Sequence, residues 1–149
     1  MNKVGKIEAL LIGGLVFSAA PAMAQLPTFS GPWVVKLWGD STRAQVGIDY
    51  CLAFTKVAGG VAGSPDGGTF TSRNIANWNG QWVQQGDRIR WWGAIAKTVA
   101  TNSEGTLINP NLATGYYLHY NLLDPGEANK VFSIGTWSAQ PGTVGTFPC

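Results

Sequence analysis

The sequence predicts an all-β antiparallel fold, an eight-stranded up-and-down barrel, with a two-sheet β-sandwich as the alternative. Three observations predict it. Apolar and polar residues alternate with period two over Val46–Thr55 and again over Ala113–Leu122. Beyond the first two dozen residues, no window carries the i, i+3, i+4, i+7 apolar spacing of a helix. Gly, Pro, Asn and Asp turn signals separate about eight such short runs, and about eight strands is where a closed sheet just holds its side chains or one small ligand.

The chain opens on an address. Lys3 and Lys6 precede an uncharged apolar run from Ala9 to Ala20, and Ala22-Met23-Ala24 fits the small-x-small cleavage rule. The expectation is a signal peptide over residues 1–24 and a single β-barrel domain over residues 25–149, secreted or periplasmic after cleavage near Ala24. The apolar run is too short to span a bilayer as a helix. Losing Lys3, Lys6 and Glu8 takes the formal net charge from +2 to about +1. Such a chain lacks the clustered Lys and Arg that nucleic acid demands. Cys51 and Cys149 are expected to form a disulfide in an oxidising compartment.

Trp33–Trp38 reads as the first strand, ended by Gly39-Asp40-Ser41. In the second, Val46, Ile48, Tyr50, Leu52 and Phe54 form an apolar face, which puts Cys51 on the opposite face and its bridge near the surface. Ala58–Gly68 is a Gly-rich connector with the composition of a lid, and Thr69–Arg73 is a strand. Trp78–Gln84 and Ile89–Ile95 flank a Gln-Gly-Asp turn and make a hairpin holding four of the seven tryptophans. Cross-strand aromatic pairs stabilise such a hairpin. Lys97–Thr101 extends its second arm, Asn102–Gly105 is a turn, and Thr106–Ile108 is a short strand. Ala113–Leu122 and Val131–Ser138 complete the set, with a Gly- and Pro-rich tail from Gln140.

Gly31-Pro32-Trp33 resembles the Gly-x-Trp opening of lipocalins and avidins, and Trp78–Trp82 with Arg88–Trp92 is similar to the central strands of avidin-type barrels. The resemblance implies an up-and-down barrel of the calycin type with a pocket at one mouth. Later lipocalin motifs and the closing avidin segment are absent. Gly-x-Trp recurs at Gly80-Gln81-Trp82 and Gly135-Thr136-Trp137, where a glycine lets a large ring lie over bare backbone of a neighbouring strand.

His119 is the single histidine, so His-based metal clusters and a Ser-His-Asp triad are hard to build, and no Gly-x-Ser-x-Gly or Cys-x-x-Cys occurs. No cofactor or metal is implied, and a non-enzymatic protein is expected. Seven tryptophans and four tyrosines remain as the chemistry-bearing residues. The expected function is binding of a small apolar molecule or a glycan by aromatic side chains. Trp82 and Trp91 are the candidates on one shared face, with Trp38, Trp92 and Tyr117 on the opposite faces of their strands. The alternative is an envelope-structural or protein-interaction module docking through Trp38, Trp92 and Tyr117. Several expected strands are shorter than the roughly nine residues a membrane-spanning strand needs.

Overall fold

A computed structural model describes residues 27–39, 43, 46–57, 65–122 and 131–149, the side chain of Phe132 excepted. The expected signal peptide and residues 58–64 of the expected Gly-rich connector lie outside them. Eight strands follow in chain order: β1 (Gly31–Trp38), β2 (Ile48–Lys56), β3 (Asp66–Ser72), β4 (Trp78–Gln85), β5 (Arg88–Ile95), β6 (Val99–Asn109), β7 (Leu112–Asn121) and β8 (Val131–Pro141). Each pairs antiparallel with its neighbour, and β1 also pairs with β8, so the sheet closes into an up-and-down barrel without helices among the described residues. Closure leaves no free edge, and it decides the architecture against the sandwich.

Period-two alternation sends one set of side chains inward. Trp33, Val35, Leu37, Leu52, Phe54, Phe70, Trp82, Ile89, Trp91, Leu107 and Trp137 form a continuous core. At the end of the barrel holding the Gly86–Asp87 turn, the lead-in to β1 folds across the interior. Phe29 there is fully buried, its ring 4.1 Å from that of Trp33 and 4.7 Å from that of Phe54. Its N–H donates to Gln84 Oε1, while Gln84 Nε2 donates to Pro27 O and Gly86 O. A buried amide is thereby satisfied on both its atoms, and that end is sealed.

The expected tryptophan hairpin forms, and its register sets Trp82 directly opposite Trp91. Trp137 lies against glycine, but not against the Gly135 of its own Gly-x-Trp. Gly105 and Gly115 face each other across β6 and β7, and a Cβ on either would meet the Trp137 ring. The bare backbone there is what the ring lies on.

Four expectations are corrected. Asn102–Gly105 is not a turn: β6 runs unbroken for 11 residues and turns Thr101 and Ser103 into the buried interior. Its polar residues read as turn chemistry, but β5 and β7 pair its backbone on both sides and remove any need to turn. Tyr117 faces inward and is buried, because Trp137 fills the barrel opposite β7 and selects the small residues Ala113 and Gly115 for the inner face. The core side of β7 is therefore the one that looked less apolar. Val46 precedes β2 and is exposed. The Cys51–Cys149 disulfide is present, spanning 98 residues, yet Cys51 is fully buried rather than near the surface. The tail explains this, since Gly142 N–H donates to Pro32 O and residues 142–149 lie over the outer side of β1 and β2.

Candidate functional site

The registers of β5 to β8 arrange their outward side chains into three rows across the sheet. Trp92, Asn102, Leu118 and Ile134 make the first; Arg90, Glu104, Tyr116 and Thr136, continued by Trp38 on β1, make the second. Arg88, Thr106, Thr114 and Ser138 make the third. A trough of about 500 Å³ is sunk into this band, walled by Arg88 on β5 and by Arg43 and Thr136 on the β8 side. Gly105 and Gly115 line it through their backbone, and the inward side of both glycines lies against the Trp137 ring, which backs the trough from within.

Four interactions hold the trough in shape. Trp137 Nε1 donates to Tyr116 O at 3.0 Å, tying the buried ring to the backbone of an exposed aromatic residue. Tyr116 itself presents a ring that is 68% exposed. Arg43 stacks its guanidinium 4.5 Å from the centre of the Trp38 ring. Its Nε donates to Thr136 Oγ1 (3.4 Å) and its Nη2 to Trp137 O (3.3 Å). The backbone of Arg43 is in the left-handed region (φ 59°), a conformation uncommon outside glycine that these contacts hold in place.

Charge in the trough is uneven. Arg43 and Arg88 carry positive charge and Glu104 negative charge. Among the described residues, Glu104 has no ion-pair partner; the ion pairs there are Lys36–Asp49 and Lys56–Asp66. The Lys56 pair, with a hydroxyl bond from Thr28, holds the Asp66 carboxyl below its ordinary range. Arg90, at the trough's edge, donates to Asn102 Oδ1 (3.4 Å) and lies 5.7 Å from the centre of the Trp92 ring. Asn102 thus keeps its amide N–H groups for other partners.

The five expected aromatic residues fall into two sets. Trp82 and Trp91 lie inside, 2% and 1% exposed, among Phe29, Phe54 and Trp137. Trp82 Nε1 donates to Thr55 O, whereas Trp91 Nε1 is buried without a partner among the described residues. Tyr117 also faces inward, its hydroxyl 3.3 Å from Ser133 Oγ. Trp38 and Trp92 face outward and bracket the trough, Trp38 beneath Arg43 and Trp92 beside Asn102 in the register. The structure therefore brings Trp38 and Trp92 to one surface and leaves the other three behind it.

The inner end opposite Phe29 is more polar. Trp78 Nε1 donates to Thr101 Oγ1, the Tyr50 ring packs edge-on against Trp78, and His119 lies beside the Tyr117 ring. Burial pushes His119 down to about 4, and burial, then the neighbouring Tyr117, raises Tyr50. Both shifts favour neutral side chains in a confined space.

Sequence reasoning missed Tyr116, Glu104, Arg88 and Arg43 as a group. The signal was the same alternation used elsewhere, but reading Asn102–Gly105 as a turn hid the outward parity of Asn102, Glu104 and Thr106. The chain matches no protein-family model, no curated protein and no solved structure.

Proposed function

We propose that the protein is an exported, non-enzymatic binding protein that holds a glycan in the trough on the outer face of its barrel. One observation carries the reading: an exposed tyrosine ring stands in a concavity together with two guanidiniums, an amide, hydroxyls and a carboxylate that has no ion-pair partner among the described residues. A sugar presents apolar C–H faces and a rim of hydroxyls, and an aromatic face with surrounding donors and acceptors complements both. A small apolar molecule fits less well, because charged and hydroxyl groups would lose water without gaining partners. Export is supported by the signal-like first 24 residues and by a disulfide suited to an oxidising compartment. Kinship with lipocalin- and avidin-like barrels belongs to the same proposal, supported by the shared architecture and the Gly-x-Trp opening. Charged outward residues on β1 and β5 to β6 (Lys36, Arg88, Arg90, Glu104) suit water rather than lipid around the barrel.

Trp38 and Trp92 give the test its signal. Titration with an oligosaccharide panel should produce a saturable change in tryptophan fluorescence, lost in Tyr116→Ala and reduced in Trp38→Phe and Trp92→Phe. Stability should stay within about 0.5 kcal/mol for Tyr116→Ala, as for most surface changes. A panel-wide lack of response would end the glycan reading. The docking alternative rests on a different observation. Tyr116 on β7 lies diagonally across from Ile134 on β8, 62% exposed, an exposed apolar pair of the kind that protein partners cover. Cross-linking of Ile134→Cys to a defined extracellular partner, with no sugar response, would favour it.

A further inference from the structure

Resting on the glycan reading, we infer that the sugar is an acidic one, and that its carboxylate is held by the guanidinium of Arg43. Arg43 is not a solvent-waving surface cation. Trp38 supports one face of its guanidinium, Thr136 Oγ1 takes its Nε–H, and Trp137 O takes one N–H of Nη2. A guanidinium has five N–H donors in a fixed fork. With two engaged, about three are left, one on Nη2 and two on Nη1, which suits two-point capture of a carboxylate. The rotamer entropy such a bond would cost a free arginine is already spent by the three contacts, and affinity gains from that order.

Charge balance points the same way. Arg43 and Arg88 set against Glu104 leave the trough one positive charge in excess, and Arg90 stands at its edge. A neutral sugar would leave that charge unanswered. Glu104, without an ion-pair partner among the described residues, would repel a second carboxylate close by, but it can accept hydrogen bonds from ring hydroxyls. The separation of Arg88 on β5 from Arg43 above β8 is three strand spacings, about 14 Å at the usual distance. A single monosaccharide does not bridge it. The trough therefore takes an oligosaccharide with one acidic unit at Arg43, neutral rings crossing Tyr116, and hydroxyls toward Glu104 and Asn102.

The test is a panel of uronic- and sialic-acid-containing oligosaccharides, each beside its carboxyl-reduced counterpart, titrated by calorimetry against wild type, Arg43→Gln and Arg43→Lys. The expected result is at least tenfold tighter binding of an acidic member than of its reduced form, weakening as salt rises. That preference should vanish in Arg43→Gln and survive only in part in Arg43→Lys, which keeps the charge and loses the fork. Equal affinity for acidic and reduced members would overturn the inference and leave glycan binding standing. An acid preference indifferent to both Arg43 variants would overturn the assignment to this residue. No binding by any member would overturn the glycan reading and this inference together. Should Arg43→Gln fail to fold, Arg43→Lys alone tests the assignment: an undiminished acid preference in it overturns the inference.

Discussion

Strands β5 to β8 make two surfaces from alternate residues, and the two differ in almost every physical respect. Inside, Trp91, Ser103, Tyr117 and Gly135 share a row and are nearly all buried, the sizes of neighbours matched to one another. Outside, one residue along, Arg90, Glu104, Tyr116 and Thr136 share a row that mixes both charges with an exposed ring. A one-residue slip would exchange the two sets completely, so the pairing register that builds the core also builds the trough. Stability and the proposed recognition thereby rest on different residues of the same strands. The Trp137 indole is where they meet: its ring backs the trough's floor and its N–H fixes the Tyr116 carbonyl.

The division breaks first at the tail, where an outward residue behaves as core. Cys51 is on the outer side of β2 but has no exposure, because residues 142–149 cover it and Cys149 is bonded to it. Replacing both cysteines by alanine should cost roughly 4–5 kcal/mol for a bridge spanning 98 residues. Chemical denaturation of the double variant would measure it, and a cost below about 1 kcal/mol would show the tail to be held by its other contacts. The next effect tests the meeting point. Trp137→Ala should cost about 3–5 kcal/mol. It should also weaken binding in the trough, since Tyr116 loses its anchor. Stability lost with sugar affinity unchanged would mean that the two faces are independent after all.

A finer comparison is available within the interior. Trp82 and Trp91 sit opposite each other at similar burial, but only Trp82 Nε1 has an acceptor. Exchange for phenylalanine removes a satisfied donor in one case and an unsatisfied one in the other. Trp82→Phe also leaves Thr55 O without this donor, so it should be the more damaging by about 1 kcal/mol. Equal midpoints in urea would indicate that Trp91 has a bound water as its partner.

The sequence made the barrel readable because its clearest signals, the inward run of Tyr50, Leu52 and Phe54 and the tryptophan hairpin, come from side chains packed into the barrel interior, although Val46 and Ile48 at the start of that run are exposed. It concealed the trough for a physical reason. Rows across a sheet are made of residues from different strands, and their composition emerges only when the register is known. Trp38 and Trp92 were visible as outward aromatics, whereas Tyr116 gained its meaning from Glu104 and Thr136, which flank it in space and not in the chain. Tyr117 was misassigned because local hydrophobicity favours Leu118 and Tyr120 as the core side of β7. The demand of Trp137 for small neighbours is a tertiary fact. Arg43 offered no signal, since a lone arginine between strands is ordinarily solvated.

The smallest effect concerns the polar end of the interior, where neutral groups are confined. His119 titrates at about 4 in the folded barrel because burial disfavours its charged form, against 6.5 when unfolded. Between these values the unfolded chain holds the proton and the folded one does not, so unfolding is favoured by acid. The stabilising contribution is fully present above 6.5 and falls away as the pH drops toward 4. Partial exposure of the imidazole calls for a discount on the full linkage, leaving a change on the order of 1 kcal/mol across that window. His119→Gln keeps a polar side chain but removes the titration, so its stability should fall less between pH 7 and pH 4.5 than that of wild type. Parallel losses in the two proteins would move the acid sensitivity to the carboxylates, with the Lys56–Asp66 pair, whose Asp66 is held below its ordinary range, as the first place to look. An imidazole chemical-shift titration would then show a midpoint near 6.5 rather than 4, and the inner end would be wetter than its partial burial implies.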